Sequence, residues 1–106
     1  LELADAVTNA ATGNDVVLVD CLTLWLSNLM HHERNVARET GALIETLNAS
    51  TTPVIVVSNE VGLSIVPENR LAREFRDAQG RLNQQIAAAA DIVEFVAAGL
   101  PLKLKD

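Results

Sequence analysis

A chain of 106 residues has room for one modest core, and with 49% of residues hydrophobic but only one Trp, two Phe and no Tyr, that core must be aliphatic. A net charge of −6 and a pI near 4.7 exclude nucleic-acid or anionic-membrane binding through the bulk field, although a nucleotide needs only a local site. The lone cysteine, Cys21, excludes an internal disulfide and a cysteine zinc cage, and no apolar run is long enough to insert in a membrane.

The elements follow in chain order. Residues 1–12 place Leu3, Val7 and Ala10 on one side at helical spacing, and Gly13-Asn14 ends that helix. The chain does not begin with Met, and Leu1 to Asp5 lacks the basic and apolar regions of a signal peptide. The expectation is therefore a cytoplasmic chain that starts inside a domain. Val16 to Val19 is a β-branched apolar run ending at Asp20, read as a buried strand over 16–20. A mostly apolar helix runs from Leu22 to about His32, with Trp25 as a core or subunit-interface anchor. A second helix covers Asn35 to Asn48, with Val36, Leu43, Ile44 and Leu47 facing inward. The sequon at Asn48-Ala49-Ser50 has no secretory context and reads as chance.

Past the loop at Thr51-Thr52-Pro53, residues 54–58 form a second buried strand that delivers Ser58-Asn59-Glu60. Val61 to Pro67 reads as loop. From about Glu68 to Ala90, Leu71, Phe75, Ala78, Leu82, Ile86 and Ala89 recur at steps of three and four, which is a long amphipathic helix. Residues 92–96 form a third strand, Gly99-Leu100-Pro101 a turn and 101–105 a last strand pairing antiparallel to the third. Strands separated by helices predict an α/β fold, with 16–20, 54–58 and 92–96 in one mostly parallel sheet, flanking helices and a carboxyl-terminal β-hairpin.

Ligands of open parallel sheets bind beyond the carboxyl ends of the strands, and there the two aliphatic runs place Asp20 and Ser58-Asn59-Glu60. An aliphatic strand ending in Asp is also the Walker B pattern, in which the carboxylate holds Mg²⁺ beside nucleotide phosphates. The competing reading is that Asp20 only caps the following helix. Arg70, Arg73, Arg76 and Arg81 lie along the long helix, either as an anion clamp or as a solvated face with Arg70–Glu74, Arg73–Asp77 and Asp77–Arg81 at i,i+4 spacing. The solvated face is the better reading for Arg73 and Arg76; Arg70 stays open. His31 and His32 are adjacent, so they cannot chelate one ion from one helix and read as surface residues at a helix end. Cys21 reads as a small buried hydrophobe. The phosphate-cradling loop Gly-x-x-x-x-Gly-Lys-Ser/Thr occurs nowhere in these residues.

Three stretches carry a resemblance that spans the chain. They are Val17 to Asn28, then Val57-Ser58-Asn59-Glu60-Val61-Gly62 running on through Ile65-Val66-Pro67-Glu68-Asn69-Arg70, then Phe75-Arg76-Asp77 with Gly80-Arg81-Leu82-Asn83-Gln84. In order and spacing they resemble the adenosylcobinamide kinase/adenosylcobinamide-phosphate guanylyltransferase family. The second stretch is the specific one.

The resemblance implies a P-loop NTPase (RecA-like) sheet, of which residues 1–106 would be the carboxyl-terminal part of a single domain, incomplete at its amino terminus. It implies phosphorylation of adenosylcobinamide by ATP or GTP, then transfer of GMP from GTP through a guanylylated histidine, giving adenosylcobinamide-GDP. That histidine and the P-loop lie upstream in the family, and neither His31 nor His32 matches it. Asp20 becomes the nucleotide-binding residue and the Mg²⁺ ligand, and Asn59, Glu60, Glu68, Asn69 and Arg70 the substrate-side candidates. The partners implied are nucleotide, corrinoid and further copies of the chain in a trimer, and the 106 residues alone should be inactive. The alternatives are a non-catalytic oligomerising α/β module and another P-loop small-molecule kinase. Asn59-Glu60 and Pro67-Glu68-Asn69-Arg70 have no role in a generic kinase.

Overall fold

The computed structural model describes residues 1–60 and 69–106. Their elements in order are α1 (Leu3–Ala11), β1 (Val17–Asp20), α2 (Leu22–His31), α3 (Val36–Ala49), β2 (Val54–Val57), α4 (Arg70–Ala89), β3 (Val93–Ala97) and β4 (Leu100–Lys105). The α/β class and the identity of every expected helix and strand agree with the sequence reading. Val61 to Pro67 and Glu68 lie outside the described residues.

Helix boundaries have local causes. Gly13 at φ 76° turns the chain away after α1. Asn35 caps α3, its side chain accepting the Arg38 N–H at 3.1 Å. The inward face of α1 is Val7 with half-buried Leu3 and Ala11; Ala10, expected inward, is exposed. Arg34 joins the ends of α1 and α3 through Glu2 and Glu39, each at 3.3 Å. The hydrogen bond Arg34 donates to Glu2, with the charge of Glu39, raises the guanidinium pKa above its ordinary value.

One core gathers Val7 of α1, Val17 and Val19 of β1, Leu22, Trp25, Leu26 and Leu29 of α2, Leu43 of α3, and Ala78 and Leu82 of α4. Trp25 is thus a core residue, and its indole N–H donates to the Leu1 carbonyl at 3.4 Å. Cys21, expected to be buried, is half-buried. On α4, Leu71 is 72% exposed, whereas Gln79 is fully buried.

Two expectations about the sheet are corrected. The strands do not form one sheet: β1 pairs with β2 in parallel, and β3 with β4 in a separate antiparallel pair. The hairpin closes over Ala98 and Gly99, at φ 52° and 75°, so its ladder forms at minimal loop-closure cost. The turn is thus Ala98-Gly99, and Leu100 and Pro101 belong to β4. Nor are β1 and β2 buried on both faces. Val17 and Val19 face the core while Leu18 is 62% and Ile55 56% exposed. Helices cover one face of this pair, and residues of alternating parity lie on the other.

Candidate functional site

The parallel register decides where the polar groups go. Val17 pairs with Val54 and Asp20 with Val57, so both strands end at the same edge. Asp20 is the last residue of β1, and Asn59 and Glu60 follow two and three positions after Val57. All three are exposed. Strand alternation puts Asp20 on the uncovered face with Leu18, Ile55 and Val57, and turns Ser58 toward α4.

Asp20 does not cap α2. The N-cap position belongs to Cys21, with no side-chain cap bond, and the Asp20–Cys21 peptide is cis. The capping reading of Asp20 therefore fails, and the carboxylate stands at the strand end without that duty. Thr23, in the first turn of α2, instead accepts the backbone N–H of Asn59 at 3.0 Å.

Behind Asn59 lies a polar cluster. Ser58 Oγ donates to Asn83 Oδ1 at 2.6 Å. Gln79 Nε2 donates to Ser58 Oγ and to Asn83 Oδ1, both at 2.9 Å. Asn83 Nδ2 donates to the Asn59 carbonyl at 3.0 Å. Gln79 Oε1 is buried with no partner, which ordinarily costs about 1–3 kcal/mol. Sequence reasoning missed Thr23, Gln79 and Asn83 as parts of this site. A signal for Gln79 existed: it stands four residues after Phe75 and three before Leu82, on the apolar stripe of α4.

The other candidates sit elsewhere. Asn69 is the N-cap of α4, its Oδ1 accepting the N–H groups of Leu71 at 2.8 Å and Ala72 at 3.3 Å. That oxygen is therefore committed to the helix rather than to a substrate. Arg70 forms the expected i,i+4 pair with Glu74 at 3.0 Å, with its side chain 86% exposed. Glu68 is outside the described residues. His31 and His32 are exposed at the end of α2, their rings 5.3 Å apart and edge to face. Among the described residues, no three His, Cys, Asp or Glu side chains gather to hold an ion. Mg²⁺ needs less: it commonly takes one or two carboxylates and completes its shell with water and substrate phosphates. A single exposed Asp20 at the strand end fits that requirement. Among the described residues, no helix is long and apolar enough to cross a membrane.

The sequence model of the cobinamide kinase/cobinamide phosphate guanyltransferase family matches residues 1–104. The chain belongs to that family. A Pseudomonas aeruginosa relative, bifunctional adenosylcobalamin biosynthesis protein CobP, is 42% identical over 107 residues, covering 99% of this chain and 62% of the relative. The Salmonella typhimurium protein CobU, of the same description, is 39% identical over 114 residues, 93% of this chain and 63% of its own. The Escherichia coli CobU is 40% identical over 107 residues, 87% of this chain and 59% of its own. The chain thus spans somewhat under two thirds of the curated relatives it matches. The cobinamide kinase/guanyltransferase family is the one the motifs around Asp20 and Asn59-Glu60 had suggested.

Proposed function

We propose that these residues form the carboxyl-terminal part of a bifunctional transferase of cobalamin synthesis. It phosphorylates adenosylcobinamide and then joins GMP from GTP to the resulting phosphate. One observation carries the reading: the parallel register delivers Asp20 and the Asn59-Glu60 segment to one sheet edge, where α/β proteins bind their ligands. Family membership supplies the reaction class.

In this reading the fold is of the P-loop type, and Asp20 faces the nucleotide phosphates and holds Mg²⁺. The ion, when bound, neutralises charge on the phosphates during transfer. Asn59, Glu60, Glu68 and Arg70 lie on the substrate side, while Asn69 orders the first turn of α4. The phosphate-cradling loop and the histidine that carries GMP are not among these 106 residues in this reading. The enzyme works in the cytoplasm as a homo-oligomer, a trimer by family resemblance. Leu18, 62% exposed, and Ile55, 56% exposed, offer apolar surface for covering elements.

The test is a graft. Residues 1–106 replace the corresponding segment of the Pseudomonas aeruginosa relative, and the purified hybrid receives adenosylcobinamide and GTP. Formation of adenosylcobinamide-GDP is expected. A folded hybrid that makes none overturns the proposal. The 106 residues alone should bind GTP negligibly in calorimetry, because backbone amides and a lysine for the phosphates are missing from this sequence.

A further inference from the structure

We infer that Gln79 and Asn83 are positioning residues, which through Ser58 hold the Asn59-Glu60 segment in the orientation the corrinoid substrate meets. The inference rests on the proposed function for its substrate and on geometry for its mechanism.

The hydrogen bonds around Ser58 admit one consistent set of directions. The Asn59 carbonyl can only accept, so Asn83 presents Nδ2 to it, at 3.0 Å, and turns Oδ1 inward. That oxygen then takes the Ser58 hydroxyl proton at 2.6 Å and one Gln79 amide proton at 2.9 Å. The second Gln79 amide proton goes to Ser58 Oγ, also at 2.9 Å. The Ser58 hydroxyl proton and both Gln79 amide protons are then assigned, and Gln79 Oε1 is left over, buried and unmatched. Turning either amide round would set oxygen against oxygen.

An aliphatic side chain at position 79 would pack on the same stripe without an orphaned oxygen. What glutamine adds is direction. Its donors fix Asn83, and Asn83 fixes the Asn59 carbonyl. The N–H of Asn59 is held by Thr23 at 3.0 Å, and it keeps that bond only while the carbonyl side of the residue stays seated. Both backbone groups of Asn59 are therefore held, from two different helices, directly before exposed Glu60. The device sits at the edge that Asp20 also occupies.

The test uses Asn83→Asp, which keeps an inward acceptor and sets a carboxylate oxygen in place of the donor to Asn59, together with the uncharged Gln79→Met as a control for the added charge. In the grafted enzyme, KM for adenosylcobinamide phosphate should rise about tenfold while KM for GTP and the melting temperature change little. A merely structural role would lower the folded fraction and leave both KM values alone. That result overturns the inference. A second arm follows amide hydrogen exchange in the 106-residue chain. There the Asn59 N–H should lose protection in Asn83→Asp while the Val19 and Val56 amides keep theirs; unchanged protection at Asn59 overturns the anchoring. An inactive grafted parent would refute the proposed function, and the exchange arm would still decide the anchoring. Should Asn83→Asp fail to fold, Gln79→Met, of similar volume and without donors, is read in the same two ways.

Discussion

Lys105 is bonded to Ala88: the ammonium of the last residue of β4 donates to the Ala88 carbonyl, and to that of Ala87, both at 3.0 Å. These are carbonyls in the final turn of α4, which no helical N–H reaches, and the positive charge meets the negative end of the helix dipole. The hairpin is thereby clipped to the helix that precedes it. Lys105→Met keeps most of the stem and loses the donors. It should cost about 0.5–1 kcal/mol in urea unfolding and raise hydrogen exchange in β3 and β4 above that in α2. Unchanged exchange in the hairpin would show the clip to be idle.

Ala98 occupies the first position of the turn with φ 52°, a conformation that costs an L-residue with a β-carbon. Ala98→Asn should therefore stabilise the chain by about 0.5–1 kcal/mol, and Ala98→Val should destabilise it. Thermal unfolding followed by circular dichroism measures both. The opposite order would mean that the turn relaxes in solution.

Thr40 of α3 is 2% exposed, and its hydroxyl has no hydrogen-bond partner. Valine has the same shape without the unmet oxygen. Thr40→Val should leave stability unchanged or raise it by up to about 1 kcal/mol. A loss of that size instead would reveal a bound water or other partner at the hydroxyl.

How far the sequence foretells the structure depends on how local the cause is. Val16 to Val19 and Val54 to Val57 are strands on pattern alone, and their shared edge follows from parallel pairing. Their burial does not follow, because whether the face of Leu18 and Ile55 is covered depends on tertiary packing and not on local pattern. Asp20 illustrates a choice that pattern cannot make: a helix cap and an uncommitted strand-end carboxylate look alike until Cys21 is seen at the N-cap. Gln79 was overlooked because glutamine between Arg76 and Arg81 reads as helix surface, although its spacing from Phe75 and Leu82 put it inside. The hairpin's separation from β1 and β2 is likewise tertiary, since any strand may pair locally or across a sheet.

Leu26 is completely buried at the centre of the core that α2 brings to β1 and α3. Leu26→Ala should cost about 2–5 kcal/mol, comparable with the whole stability of a domain this small. Loss of a cooperative thermal transition is the expected readout. A variant that melts within a few degrees of the parent would place Leu26 outside the true core.

Asp20→Asn in the grafted enzyme tests the nucleotide role. The side chain is exposed, so the far-ultraviolet spectrum should not change. Conversion to adenosylcobinamide-GDP should fall roughly 10²-fold, as when one electrostatic stabiliser of a transferring group is removed. Retention of full activity would remove Asp20 from the site.

Because the protein has one tryptophan and no tyrosine, Trp25 alone governs its ultraviolet emission. The indole is 7% exposed and its N–H is engaged by the carbonyl of the first residue. Its wavelength maximum is consequently an optical gauge of whether the amino-terminal end lies against α2. Anything that lifts that end away, a proteolytic nick in α1 or a competing chain, should shift the emission to the red while the ellipticity of the remaining helices persists.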